Sequence, residues 1–131
     1  MTKRTKFYAL KEVFNRLHGP GGCPWDVKQT HKSLLKYLRE ESDEFIQAVR
    51  SGNVHHMKEE LGDVLLQVMF HAQIAQKAKC FDIEDVIDTL VQKLKRRHPH
   101  VFGKTKVSSA REVKVNWDRI KREEKKKKLT H

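Results

Sequence analysis

The stretch Arg39–Gln67, REESDEFIQAVRSGNVHHMKEELGDVLLQ, decides how the chain folds, because it sets acidic residues inside two apolar patterns of helical period. Leu34, Leu35, Leu38, Phe45, Ile46 and Val49 recur at steps of three and four, as do Leu61, Val64, Leu65 and Val68, so each run predicts a helix. Ser51-Gly52-Asn53 separates the two runs. Gly52 suits the left-handed position after a helix end and Asn53 can cap the next helix, so the short link makes the two helices antiparallel neighbours.

That link fixes a register. Glu44 lies eight residues before Gly52 and Glu60 eight after it, so at a rise of 1.5 Å per residue both sit roughly 12 Å from the turn. Glu41 and Asp63, each eleven residues from Gly52, are likewise level at roughly 16 Å. Each i,i+3 pair shares one helix face, so four carboxylates converge. Left ionised and unpaired, they would repel and take up protons unless a cation joined them. One exposed Glu on a helix is ordinarily solvated or paired with a nearby lysine or arginine. Four acids mirrored across a turn instead point to a metal site, and an all-oxygen donor set favours magnesium, with manganese a substitute, over zinc.

Glu40-Glu41-x-x-Glu44 followed by Glu60-x-x-Asp63 in EELGDVLLQ resembles the EExxE…ExxD signature of the MazG family of nucleoside triphosphate pyrophosphohydrolases. GGCPWDVKQTHKSL upstream and KLKRRHPHVFG downstream are similar to the same family, so the resemblance covers roughly residues 7 to 120. It implies an all-α, magnesium-dependent enzyme that cleaves between the α and β phosphates of a ribo- or deoxyribonucleoside triphosphate, giving monophosphate and pyrophosphate, in nucleotide-pool house-cleaning. The carboxylates Glu41, Glu44, Glu60 and Asp63 then hold the metal, and Glu40 or Glu41 takes a proton from the attacking water.

At 131 residues the chain is long enough for one helical core, and we expect a single domain over residues 1–120. No apolar run approaches the length of a membrane span, and MTKRTKFYALKEVF lacks the apolar block of a secretory signal, so a cytoplasmic protein is expected. Cys23 and Cys80 make no Cys-x-x-Cys and suggest neither a disulfide framework nor a zinc site. The net charge of +11 would suit a polyanion, yet Arg119–Lys128 holds seven basic and two acidic residues and so supplies +5 of it. Residues 121–131 read as a frayed basic tail without the interleaved aromatics that stack on bases, which leaves a nucleic-acid-binding module as the weaker alternative.

Phe7, Leu10, Val13, Phe14 and Leu17 predict a first helix ending before His18. Gly19–Asp26, with three glycines and two prolines, reads as an irregular loop whose Trp25 plugs the end of the bundle. Asp82 caps a further helix in which Ile83, Val86, Ile87, Leu90, Val91 and Leu94 form the buried stripe, and Pro99 ends it near Arg97. Lys93, Arg96 and Arg97 share one face of its last turns, where they could hold a polyphosphate or meet the helix dipole. The family resemblance favours the nucleotide, with Tyr37 and Trp117 as further substrate contacts, although Trp117 could equally pack against the bundle. Ser109-Ala110-Arg111-Glu112 is a capping box that opens the last helix.

His98-Pro99-His100 reads as loop, and His55, His56 and His71 carry no signal of their own. A di-iron carboxylate bundle would need Glu-x-x-His pairs, and Glu60-x-x-Asp63 stands there instead. No glycine-rich phosphate loop is present, which excludes a P-loop nucleotidase. The helix from Glu60 carries apolar residues on nearly every face, Leu61, Leu65, Leu66 and Val68 among them, so one small bundle cannot cover it. A homodimer or larger homo-oligomer is expected, built around a central antiparallel hairpin that carries the acidic site.

Overall fold

A computed structural model describes residues 5–129, and among them every regular element is a helix. The helices are α1 (Lys6–His18), α2 (Pro24–Lys28), α3 (His31–Ser51), α4 (Val54–Lys77), α5 (Ile83–Arg97), α6 (Pro99–Phe102) and α7 (Ala110–Leu129). The chain divides into two compact units, one running to Ile83 and one starting at Glu84.

In the first unit the helix ends follow from local chemistry. Thr5 Oγ1 accepts the Tyr8 amide at 3.0 Å to start α1, and Thr30 and Ser33 close a reciprocal capping box at the start of α3. Gly52, at φ 72°, takes the left-handed position that a β-carbon would strain, and the Asn53 side chain accepts the His56 amide at 3.0 Å to open α4. The other end of α4 is less conventional. Lys79 adopts φ 59°, its amide donates to the Gln76 carbonyl and that of Cys80 donates to the Ala75 carbonyl, so a lysine fills the position usually given to glycine in a Schellman stop.

The most extensive helix packing is that of α3 on α4, with α1 lying on α4 as well. Ala48, Ala72 and Ala75 are almost completely buried, which suits close backbone approach, while Phe14, Leu34, Met69, Phe70 and Ile83 fill the remaining core. His18 sits inside it, stacked on Phe14 at 6.2 Å and edge-on to Phe70 at 5.1 Å, and burial lowers its pKa. Leu34 is the largest side chain that is fully enclosed, and truncating it to alanine should cost about 2–5 kcal/mol. Gln73 Nε2 donates to Asn15 Oδ1 at 3.1 Å, tying α4 to α1 by a polar contact.

Several local expectations are corrected. Gly19–Asp26 is not wholly irregular, since Pro24 at the first helical position starts the short helix α2. Trp25 packs on the core residue Phe70 as expected but leaves one side open. It is about half exposed, 48%, and touches Tyr37 and Phe70 edge-on at 5.8 and 6.2 Å. Pro99 similarly opens the one-turn helix α6 where a loop was expected.

The second unit contains α6, α7 and all of α5 beyond Ile83. Of the apolar stripe expected to be buried along α5, Leu90, Val91 and Leu94 are exposed at 50%, 38% and 38%. So short a unit has no second layer to lay over them. The tail expected to fray from residue 121 is helical to Leu129, held in part by Arg119 donating to Glu123 at 3.1 Å one turn on. Its start is a shifted capping box: Ser109 Oγ accepts the Glu112 amide, but the Glu112 carboxylate reaches the amide and hydroxyl of Ser108.

Candidate metal and nucleotide site

Glu41 and Glu44 project from α3, Glu60 and Asp63 from α4, and one carboxylate oxygen from each lies within 4.8 Å of the others. The two-residue link makes this possible, because the Gly52 stop and the Asn53 cap leave no slack that could shift one helix along the other. Glu60 is only 9% exposed, Glu41 and Asp63 are half-buried, and Glu44 faces solvent.

Crowding and burial favour protonation of two of the four. The Glu41 carboxyl is pushed up to about 7, first by burial, then by the charges of Glu44, Asp63 and Glu60 and by a hydrogen bond with Glu44 that favours the protonated form. Glu60 is raised as well, by burial, by its own hydrogen bond with Glu44 and by the Glu44 and Asp63 charges, while the N–H of His56 pulls in the opposite direction. The second oxygens of Glu41 and Glu60 are buried without a partner. Two orphaned acceptors among four crowded acids are the complement of a cation, and the set can hold a metal ion. Its donors are all carboxylate oxygens, the chemistry of a hard divalent ion.

The other expected site residues are distributed as follows. Glu40 is exposed and lies outside the four-carboxylate set. Tyr37, half-buried on α3, has Trp25 at its edge and the Lys36 ammonium 5.0 Å from its ring centre. Lys93, Arg96, Arg97 and Trp117 belong to the second unit. There Arg96 Nε and Arg97 Nη2 donate to the two oxygens of Glu124 at 2.5 and 2.8 Å. These bonds, that of Arg97 foremost, hold Glu124 down at about 2. The Arg97 guanidinium also lies 5.0 Å from the Trp117 ring centre, and His98 meets the same indole edge-on at 5.2 Å. The two arginines expected on a phosphate thus share one acid of the chain itself, which offsets one of their two charges.

Three partners escaped the sequence reading. His56 Nε2 lies 3.1 Å from Glu60 Oε1, and the i,i+4 spacing of the pair was a signal already present in HHMKE. Glu124 stands 27 and 28 residues from its arginines, and His31 stands 40 from His71, so only the fold could pair them. The two imidazoles stack with 3° between ring planes and Nδ1 atoms 2.8 Å apart, and burial together with His31 lowers the His71 pKa.

Comparison with known proteins adds an independent line. Residues 29–102 match the family described as the MazG nucleotide pyrophosphohydrolase domain. The chain is 54% identical over 122 residues to the "Nucleoside triphosphate pyrophosphohydrolase/pyrophosphatase MazG" of Thermotoga maritima, covering 93% of this chain and 46% of that protein. It is 40% identical over 123 residues to the "Nucleoside triphosphate pyrophosphohydrolase" of Escherichia coli K12, covering 93% and 47%. A third relative, "Uncharacterized protein YabN" of Bacillus subtilis, is 48% identical over 120 residues, 92% of this chain and 24% of that one. The chain therefore spans less than half the length of these curated relatives. Among solved structures, the crystal structure of a mazG-related protein from Thermotoga maritima superposes with a TM-score of 0.69 at 30% identity, covering 86% of this chain and 96% of that one.

Proposed function

The chain belongs to the MazG nucleotide pyrophosphohydrolase family, and on that premise we propose that it hydrolyses nucleoside triphosphates to monophosphate and pyrophosphate with magnesium as cofactor. One observation carries the assignment: four carboxylates from two helices present oxygens within 4.8 Å of one another. Glu41, Glu44, Glu60 and Asp63 would hold magnesium or manganese, which when bound would offset phosphate charge and make water a stronger nucleophile near neutral pH.

The water oxygen adds to the α phosphorus, the bond from that phosphorus to the α–β bridging oxygen breaks, and pyrophosphate departs with the bridging oxygen. Glu40 and Glu41 are the candidate proton acceptors. Glu41 sits in the cluster itself, while Glu40 adjoins it on α3 outside the four-carboxylate set. Lys93, Arg96 and Arg97 steady the leaving pyrophosphate, and Tyr37 and Trp117 offer flat faces to the nucleoside. For the arginines this means exchanging Glu124 for phosphate oxygens, which present the same bidentate acceptor geometry.

We read residues 1–120 as one domain of this family, because the family match at 29–102 runs across the division at Ile83. Among the described residues no helix is long and apolar enough to cross a membrane, in keeping with a cytoplasmic reaction on the nucleotide pool. A homodimer or larger assembly is also proposed. Leu35, Ile46 and Val49 on α3 and Leu61, Leu65, Leu66 and Val68 on α4 are each at least 40% exposed, more apolar surface than a helix pair leaves to water. Incubating the purified chain with ordinary and oxidised triphosphates, with pyrophosphate detection, tests the activity. Release in magnesium that chelator removes is expected, and none with any triphosphate would end the proposal. A light-scattering mass of one chain at micromolar concentration would end that of the assembly.

A further inference from the structure

Two histidine–glutamate pairs stand side by side at the start of α4, with identical i,i+4 spacing and different surroundings. His55 Nε2 meets Glu59 Oε1 at 3.0 Å in the open, with side chains 72% and 57% exposed. His56 Nε2 meets Glu60 Oε1 at 3.1 Å, with side chains 47% and 11% exposed. The first pair is an ordinary surface contact that water and salt weaken. The second is anchored at both ends, for the His56 backbone amide is held by Asn53 Oδ1 at 3.0 Å and Glu60 is packed among the site carboxylates.

The bond divides the labour of one carboxylate. With Oε1 taken by the imidazole N–H, the other oxygen of Glu60, Oε2, is left buried with no hydrogen-bond partner. An unrestrained glutamate would choose among rotamers and expose either oxygen, losing that freedom each time it bound an ion. An acceptor held in advance by an outer hydrogen bond binds a metal without that loss. We propose that His56 is a positioning residue that fixes Glu60 for the divalent cation, presenting a single oxygen to it, while the neighbouring His55 has no part in the site. This rests on the four-carboxylate metal reading above and adds to it a residue outside the motif.

The test is equilibrium binding of manganese and of magnesium to the purified chain by calorimetry, with circular dichroism and metal-free melting to compare folds. His56→Leu should weaken metal binding about 10-fold or more. His56→Gln, whose amide nitrogen can stand where Nε2 stood, should restore binding to within about 3-fold, whereas the shorter His56→Asn should not. His55→Leu should bind as wild type. In turnover, His56→Leu should require more magnesium yet approach the wild-type kcat at saturating metal, a split that a general loss of structure would not give. Wild-type affinity in His56→Leu, or equal affinities for the Gln and Asn variants, overturns the role of His56 and leaves the metal site standing. A wild-type chain that binds neither ion overturns both.

Discussion

The acidic face of α3 and α4 and the basic end of α5 are both crowds of like charge, and the chain treats them oppositely. Arg96 and Arg97 are given Glu124, which pairs with both, offsets one of their two charges and is itself drawn down to about 2. Among the described residues no lysine or arginine pairs with Glu41, Glu44, Glu60 or Asp63, and His56 alone reaches the set, at Glu60. Protons partly make up the deficit: Glu41 rises to about 7, and carboxyls share hydrogen bonds with Glu44. The contrast separates charge that has been settled within the fold from charge held unsettled for a partner. An unsettled cluster costs stability and persists where a ligand supplies what the fold withholds.

The largest effect should come from removing a member of the unsettled set. Glu41→Gln or Asp63→Asn deletes a ligand charge with little change in volume, and hydrolysis in magnesium should fall by about a hundredfold or more, while the circular dichroism spectrum stays helical. Activity within tenfold of wild type would take that residue out of the site. The same substitution should leave the metal-free chain as stable as before or more so, since it relieves repulsion. No residue of a well-settled ion pair would behave that way.

Next in size is the response to metal and to pH. An ion that binds only the folded state at a hundred times its Kd contributes about 2.7 kcal/mol, which should lift the melting temperature by roughly 5–10 °C. Without metal, pH should do the opposite. The Glu41 carboxyl is higher in the folded state, about 7, than its ordinary 4.5, so the folded chain holds that proton more tightly than the unfolded one. Its contribution to stability is full below 4.5 and is lost as pH rises through about 7. Melting temperature in chelator should therefore decline between pH 5 and pH 8, with approximate pH limits set by that displacement, and saturating magnesium should flatten the decline. A flat profile without metal would mean that the carboxylates are better solvated than their geometry indicates.

The two regions also differ in how much of them could be read in advance. The acids were legible because Gly52 and Asn53 fix a turn of known length, so spacing along two helices converts directly into height above it. Even the His56 contact lay within reach of the i,i+4 rule. The settled region was not legible, since no local periodicity links Arg97 to an acid 27 residues on, and the basic run around Glu124 read as a solvated tail. Burial was the other blind spot. Periodicity placed Leu90, Val91 and Leu94 on one face of α5, but a stripe records only that a cover is needed, and three short helices do not supply it. Lys79 hid the end of α4 for a simpler reason, since a lysine in the left-handed region carries no turn signature.

The smallest effect concerns the settled crowd. Glu124→Gln keeps the shape of the side chain and removes the charge that Arg96 and Arg97 share. Arg96 is half exposed, so its bond is worth little, but Arg97 and Glu124 are only 12% and 15% exposed, and losing that charge-assisted bond should cost about 1–2 kcal/mol. The sign with pH is the reverse of the acidic face. Glu124 is lower in the folded state, about 2, than its ordinary 4.5, so its contribution is present above 4.5 and is lost as pH falls through about 2. Melting of wild type and Glu124→Gln should therefore differ near neutrality and converge in acid. If the arginines exchange Glu124 for phosphate during turnover, the same variant should also lower KM for the triphosphate severalfold, because the competing acceptor has lost its charge. A stability loss with KM unchanged would show that the guanidiniums stay on Glu124 while the nucleotide is bound, leaving Lys93 as the one of the three expected cations free to meet the phosphates.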